Sequence, residues 1–251
     1  MRGAVLMLLL TWSATGFAQE MVVNDQRGQK LMFSRQPQRV VTMPQPTASL
    51  YVAIDGKADR LIAMNPGSLS AIRGEWLGTL FPALTRLRTD IVKGGQFVPN
   101  IETLLSLNAD VVFQWADRGP DLTAPIERAG IVVFGEYLGN QAKLEKTISA
   151  IGQMTGQEVK VTELLEKHHS VMAKMKTRTI ALPVSARHKV LYFQYVTDSL
   201  RPSGTGSYND MYIHLAGGKN AAVGVGGTGT DVTFEQVLSW APEVILLGNF
   251  D

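Results

Sequence analysis

The stretch that decides the fold is residues 100–113, which read Asn-Ile-Glu-Thr-Leu-Leu-Ser-Leu-Asn-Ala-Asp-Val-Val-Phe. A polar residue suited to a helix N-cap opens a short helical pattern with a glutamate in its first turn, and a buried strand follows at once. The same order recurs in residues 233–246, Thr-Phe-Glu-Gln-Val-Leu-Ser-Trp-Ala-Pro-Glu-Val-Ile-Leu, where Glu235 aligns with Glu102 without gaps. The repeat predicts two similar lobes, each with a helix–strand unit in the same place.

Composition and charge narrow the class of protein. The chain has 251 residues, 45% of them hydrophobic and 18% charged, so it is long enough and apolar enough for two lobes with their own cores. The formal net charge is only +2, and no run of like charges occurs. Neither a nucleic acid nor an anionic membrane surface is therefore expected as a partner.

The first residues have the pattern of a cleaved signal peptide, predicted for residues 1–18. A positive start is followed by a short apolar stretch, and Gly16 and Ala18 provide small residues before the cleavage site. The alternative is a buried N-terminal strand or helix. Because the chain has no cysteine, it can form no disulfide and carries no cysteine for a lipid anchor. These features favour a soluble protein of a Gram-negative periplasm.

Strand and helix patterns alternate through residues 19–139, the predicted N-terminal lobe. A hairpin is expected at 22–24 and 30–33, and buried strands at 39–42, 60–64, 110–113 and 131–134. Such alternation is typical of a parallel sheet covered by helices.

The pattern becomes helical and lacks strands through residues 140–178, which predicts a linking helix, either continuous or as two helices in line. Residues 179–251 are the predicted C-terminal lobe. The sequence stops directly after a predicted strand at 243–247, which leaves the second sheet short of covering helices, so we expect this lobe to be truncated. The predicted fold is α/β, with two Rossmann-like lobes whose parallel sheets are joined by a long connecting helix, the second lobe being incomplete.

The sequence offers little for catalysis or for a bare metal ion. It has four histidines, and the adjacent His168 and His169 point about 100° apart around a helix, which does not suit a shared metal. Residues 224–229 match a dinucleotide-binding glycine pattern in letters, but they do not join a strand directly to a helix. We therefore predict no catalytic residue, no metal ligand, no cofactor and no enzymatic activity.

Aromatic, arginine and glutamine side chains follow the predicted strands instead. In parallel sheets, ligands bind beyond the carboxyl ends of the strands, where aromatic rings provide apolar walls and arginine binds carboxylate-like oxygens. The candidate ligand-binding residues are Gln45, Arg73, Trp76, Gln96, Trp115, Arg118, Tyr137, Tyr195, Arg201 and Tyr208.

Several stretches carry a resemblance to a known family. They are Arg-Val-Val at 39–41, Pro-Asn-Ile-Glu at 99–102, Gly-Gly-Lys-Asn at 217–220, Val-Thr-Phe-Glu-Gln-Val-Leu at 232–238 and Pro-Glu-Val-Ile at 242–245. With them the chain resembles the periplasmic binding proteins that serve ABC importers of ferric siderophores, haem and vitamin B12. The resemblance implies a ligand in the cleft between lobes, and a glutamate on each lobe, here Glu102 and Glu235, that docks onto permease arginines. The alternative for both glutamates is a favourable charge at a helix N-terminus.

The resemblance implies a non-enzymatic, monomeric periplasmic receptor for an iron(III)-siderophore-type chelate. Such a receptor delivers its ligand to a permease dimer with a cytoplasmic ATPase, and the ligand brings its own chelating groups. Haem or cobalamin in the same role is the alternative ligand. An exported enzyme or sensor domain on the same scaffold is the alternative of another class.

Overall fold

The computed structural model describes residues 20–94, 97–196, 199–227 and 230–248, with only the backbone at Tyr195. The predicted signal peptide lies outside these residues. Within the described chain, no helix combines the length and the apolar character that crossing a membrane requires.

The first lobe begins with a hairpin and continues as alternating strands and helices. Strands β1 (Met21–Asn24) and β2 (Lys30–Phe33) pair antiparallel, as predicted. The elements that follow are β3 (Val40–Thr42), α1 (Gln45–Asp55), β4 (Leu61–Met64), α2 (Pro66–Ile72), α3 (Trp76–Leu80), α4 (Ile101–Ser106), β5 (Val111–Trp115), α5 (Ala124–Arg128) and β6 (Val133–Glu136). Strands β3 to β6 form a parallel sheet in the order β4-β3-β5-β6. The predicted parallel sheet is confirmed.

Both faces of this sheet are buried. Val40 and Phe113 contribute to one apolar cluster, and their neighbours Val41 and Val112 contribute to a second. Because successive side chains of a strand point to opposite faces, helices cover the sheet on both sides, which explains why these strands read as continuous apolar runs.

For residues 140–178 the sequence predicted one continuous helix or two helices in line, and the structure shows another arrangement. They form α6 (Gln141–Thr155) and α7 (Glu158–Ile180), with Gly156 between them at φ 71°. His169 Nε2 lies 2.9 Å from Glu145 Oε1, so the two helices pack side by side as a hairpin. The left-handed glycine conformation reverses the chain, which apolar spacing alone does not reveal. Only α7 leads on to the second sheet, and the predicted lobe boundaries stay predictions.

The second lobe contains a smaller sheet. Its elements are β7 (Lys189–Val196), β8 (Leu200–Pro202), α8 (Tyr208–Leu215), β9 (Lys219–Asn220), α9 (Phe234–Trp240) and β10 (Val244–Leu247). Strands β9 and β10 run parallel to β7, whereas β8 pairs antiparallel with it and lies where the sequence predicted a loop. The sequence of β8, Leu-Arg-Pro, lies in a polar stretch and ends on a proline, so it does not read as a strand. The buried apolar cluster of this lobe is small, and Leu247 is 66% exposed.

The repeated helix–strand unit is confirmed in detail. In α4 the Ser106 hydroxyl donates to the Thr103 carbonyl oxygen at 2.7 Å, and in α9 the Ser239 hydroxyl donates to the Gln236 carbonyl oxygen at 2.7 Å. Each helix leads to a parallel strand, β5 or β10. The two lobes therefore share this unit and its serine hydrogen bond. Their N-caps differ, because Thr233 Oγ1 accepts from the Gln236 amide whereas the Asn100 side chain forms no such cap.

Candidate ligand-binding site

The carboxyl ends of the parallel strands bring several predicted residues to one edge of the first sheet. Gln45 follows β3, Trp115 ends β5, and Tyr137 follows β6. The Ala116 amide donates to the Glu136 carbonyl oxygen at 3.0 Å, which keeps the ends of β5 and β6 adjacent. This edge is where ligands of parallel α/β sheets bind.

Arg118 is held against two aromatic rings at this edge. Its guanidinium carbon lies 4.2 Å from the centre of the Trp115 ring and 4.9 Å from that of Phe97. The two rings are 5.9 Å apart in an edge-to-face arrangement. No ion pair of Arg118 occurs among the described residues. Ring contacts fix the planar cation while its N–H groups stay available for an anion.

Gln114 organises this arrangement, and the sequence analysis missed it. Its side chain is buried in the apolar strand β5, where its Nε2 donates to the Phe97 carbonyl oxygen at 3.0 Å. Its Oε1 accepts from the Trp115 amide at 2.9 Å. One amide group therefore joins the segments that carry both rings. A glutamine inside the run Val-Val-Phe-Gln-Trp was the available signal.

A second cation rests on a ring at the end of the neighbouring strand. Lys143, in the first turn of α6, places its Nζ 5.0 Å from the centre of the Tyr137 ring. Gln26 fixes both residues, since its Oε1 accepts from the Tyr137 amide at 3.2 Å and its Nε2 donates to the Lys143 carbonyl oxygen at 3.0 Å. The sequence analysis missed Lys143, although its place directly after the β6 loop was a usable signal.

A buried carboxyl group lies directly before Tyr137. Glu136 is fully buried and accepts hydrogen bonds from the hydroxyls of Thr47 and Thr147. Burial raises the pKa of Glu136 to about 8 despite these bonds. The carboxyl is therefore mostly protonated at neutral pH and adds little negative charge at this edge.

Other predicted residues of the first lobe are spread along its sheet. Gln45 packs against Gly67, where a Cβ atom would collide with the glutamine side chain. Arg73 donates to the Thr85 carbonyl oxygen at 3.4 Å, and Trp76 is 81% exposed. Both Arg73 and Trp76 lie after β4, at the opposite side of the sheet from β6. Gln96 lies outside the described residues.

Arg201 in the second lobe already has a charged neighbour. Its Nε lies 2.6 Å from Asp231 Oδ1, and this contact lowers the pKa of Asp231. The backbone of Tyr195 pairs with that of Arg201 between β7 and β8. The ion pair reduces the charge that Arg201 offers to a ligand.

Tyr208 is a half-buried residue of the second lobe. It is the first residue of α8, after the N-cap Ser207. Burial raises the pKa of the Tyr208 hydroxyl, and Tyr212, Glu136 and Glu145 add to the increase. Glu136 and Glu145 belong to β6 and α6, so charges of the first lobe act on Tyr208.

In the second lobe, a hydrogen-bond network that the sequence did not reveal joins β7, α8 and β9 to the loop that follows β8. Asn209 Nδ2 donates to Ser203 Oγ at 2.9 Å and to Gln194 Oε1 at 3.3 Å. Asn220 Nδ2 donates to the Ser203 carbonyl oxygen at 3.0 Å and to Asp210 Oδ1 at 2.9 Å. The network fixes the loop between β8 and α8.

The two predicted docking glutamates occupy matched positions. Glu102 is the second residue of α4, Glu235 is the second residue of α9, and both side chains are exposed. A backbone N–H and the Thr233 hydroxyl lower the pKa of Glu235. Among the described residues, no cluster of three or more histidine or acidic side chains could hold a metal ion.

The sequence is similar to those of known binding proteins. A family model described as periplasmic binding protein matches residues 85–250. The molybdate-binding protein MolA of Haemophilus influenzae is 24% identical over 266 aligned residues, which cover 97% of this chain and 72% of MolA.

Solved structures agree on the fold. A periplasmic solute binding protein from Veillonella parvula has a TM-score of 0.75 at 27% identity, covering 93% of this chain and 69% of that one. Molybdate-bound MolA has a TM-score of 0.74 at 20% identity, covering 90% and 73%. The vitamin B12 binding protein BtuF of Vibrio cholerae has a TM-score of 0.63 at 17% identity, covering 85% and 77%.

Proposed function

Since the chain belongs to the periplasmic binding protein family, we propose that it is the solute-binding component of an ABC importer and captures an anionic metal species between its lobes. Proteins of this family work in the periplasm and pass their ligands to a permease. They bind substrates rather than convert them, which supports the non-enzymatic role over an exported enzyme or sensor domain.

The observation that carries this proposal is the Arg118 guanidinium resting on Trp115 and Phe97. A cation that is fixed by rings and not neutralised by a described carboxylate is suited to an anionic ligand. The rings also offer apolar surface to the organic part of a chelate.

An iron(III)-siderophore-type chelate is the first candidate ligand. Such a ligand surrounds its metal with its own donor atoms, so the protein needs only outer contacts. Arg118 would bind negative oxygens, while Trp115, Tyr137 and Tyr208 would contact the apolar parts of the chelate. Haem or cobalamin is the alternative within this class, and each would need contacts over a larger aromatic surface.

Molybdate is the second candidate, favoured by the similarity to MolA. A tetrahedral oxyanion offers four oxygens to N–H and O–H donors and needs no apolar surface. Arg118 would bind it through charge and hydrogen bonds.

Intrinsic tryptophan fluorescence tests the proposal. Purified protein is titrated with molybdate, with ferric siderophores, with haem and with cobalamin. Arg118 next to Trp115 predicts a saturable change with an anionic metal species, a change that Trp115→Phe reduces and Trp76→Phe preserves. Saturable binding of none of these ligands, or of cobalamin alone, would overturn the anionic assignment.

We also propose that Glu102 and Glu235 dock onto cationic sites of the permease. Both carboxylates are exposed at matched positions of α4 and α9. One glutamate on each lobe is suited to a partner with two equivalent cationic sites, such as a permease dimer.

A further inference from the structure

We propose that Lys143 is a second cationic contact for the ligand and that the site therefore selects ligands with two or more negative charges. This inference rests on the proposed function of the Arg118 edge and specifies the ligand class.

Arg118 and Lys143 lie near the ends of neighbouring strands. Strands β5 and β6 are paired, with Trp115 opposite Glu136 in the ladder, so their ends lie about 5 Å apart. Arg118 follows the first strand, and Lys143 lies against the residue that follows the second. The two cations consequently occupy the same edge of the sheet.

The two cations are held in the same manner. Each rests on an aromatic ring at a strand end, Arg118 on Trp115 and Lys143 on Tyr137. No ion pair of either cation occurs in the described parts of the chain. Ring contacts orient a cation without neutralising it.

Hydrogen bonds of its backbone hold Lys143 in place. Its amide donates to Asn140 Oδ1 at 3.1 Å, and its carbonyl oxygen accepts from Gln26. The ammonium group is therefore not needed to hold the helix start. The described contact of the ammonium group is the Tyr137 ring.

Two positive charges discriminate by ligand charge, because the Coulomb energy of each cation scales with the charge of the anion. Removing one cation should therefore weaken the binding of a doubly charged anion more than that of a singly charged anion of the same shape.

The experiment compares Lys143→Gln with the unsubstituted protein by isothermal titration calorimetry. One probe pair is molybdate and perrhenate, tetrahedral oxyanions with two charges and one charge. A second pair is a triply negative iron(III) tris-catecholate and a neutral iron(III) tris-hydroxamate. We expect Lys143→Gln to reduce the preference for the more charged member of the bound pair about tenfold.

Lys146→Gln is the matched control, since Lys146 is an exposed lysine on the same helix, and it should leave that preference unchanged. Equal losses for both members of the pair, or no loss, would overturn the role of Lys143 while leaving the proposed function intact. Failure of the unsubstituted protein to bind any of the four probes would overturn the proposed function itself, and this inference with it. Circular dichroism verifies that each variant is folded.

Discussion

The hydroxyl of Thr147 donates a hydrogen bond to the carboxyl group of Glu136 at 3.3 Å, joining α6 to the edge strand β6. Thr47 of α1 donates to the other oxygen of the same carboxyl group. One buried side chain therefore connects three elements directly behind the candidate site. Its protonation state matters for stability, because both described hydrogen bonds of the carboxyl come from neutral hydroxyls and no described cation pairs with it.

Glu136→Gln should stabilise the protein at high pH and have little effect at low pH. Burial raises the pKa of Glu136 from its ordinary 4.5 to about 8. Between these values the unfolded chain releases a proton that the folded protein keeps, so the free energy of unfolding falls as pH rises. The full pKa difference between the folded and unfolded states lowers the free energy of unfolding by at most about 5 kcal/mol. Glutamine stays neutral and avoids this loss.

Urea denaturation at pH 5 and pH 8.5 measures the effect. The exposed Glu166→Gln is the control and should show the same stability as the unsubstituted protein at both pH values. A stability difference for Glu136→Gln that is the same at both pH values would contradict the assignment.

Arg118→Gln should weaken the binding of an anionic ligand about 10- to 100-fold, since a charge-assisted contact contributes about 1.5–3 kcal/mol. Arg118→Lys keeps the charge but loses the planar contact with Trp115 and Phe97. The affinity of Arg118→Lys should therefore fall between that of the unsubstituted protein and that of Arg118→Gln. Calorimetric titration with the anion that the protein binds measures all three.

Arg128→Gln is the control for Arg118, because Arg128 is an exposed arginine on α5. It should bind with unchanged affinity. If Arg118→Gln binds as tightly as this control, the ring-supported arginine is not a ligand contact.

The sequence predicted the first sheet well because its strands are buried on both faces. Val111 and Val112 read as an apolar run for that reason, and the strand ends could be assigned from it. Trp115 and Tyr137 were accordingly expected at one edge, as observed. The apolar pattern was sufficient to predict the positions of residues whose surroundings are determined by their own strand.

The rest depends on contacts between segments distant in sequence. Gln114 Nε2 donates to the Phe97 carbonyl oxygen and so helps to place the Phe97 ring beside Arg118, a contact that no spacing predicts. The hairpin of α6 and α7 depends on the backbone conformation of Gly156, which is compatible with several helix arrangements when read from the sequence. Tertiary contacts, rather than propensities, determine these features.

Charge reversal at both docking positions, Glu102→Arg with Glu235→Arg, should abolish ligand delivery while leaving ligand affinity unchanged. Each single variant should retain part of the delivery, because one lobe still offers its carboxylate. Ligand uptake into proteoliposomes that contain the cognate permease and ATPase measures delivery, and calorimetry measures affinity. Glu158→Arg, at the start of α7, is the control. Full uptake by the double variant would exclude these glutamates as docking contacts.

Asn220→Ala should destabilise the second lobe by about 1–3 kcal/mol, because it leaves buried polar groups without partners. Asn220 is 3% exposed, donates to the Ser203 carbonyl oxygen and to Asp210, and accepts from the Ala222 amide at 3.0 Å. Asn220→Asp should be at least as destabilising at neutral pH, since it sets a second carboxylate against Asp210.

The two Asn220 variants differ in their expected pH dependence. Neighbouring carboxylates raise the pKa of one of the pair, so lowering the pH protonates it and restores a donor. Thermal denaturation at pH 7.5 and pH 4.5 should show Asn220→Asp recovering relative to Asn220→Ala as the pH falls. Gln153→Ala, an exposed amide on α6, serves as the control. Parallel losses for both variants at the two pH values would mean that the contact between Asn220 and Asp210 does not determine the stability of this loop.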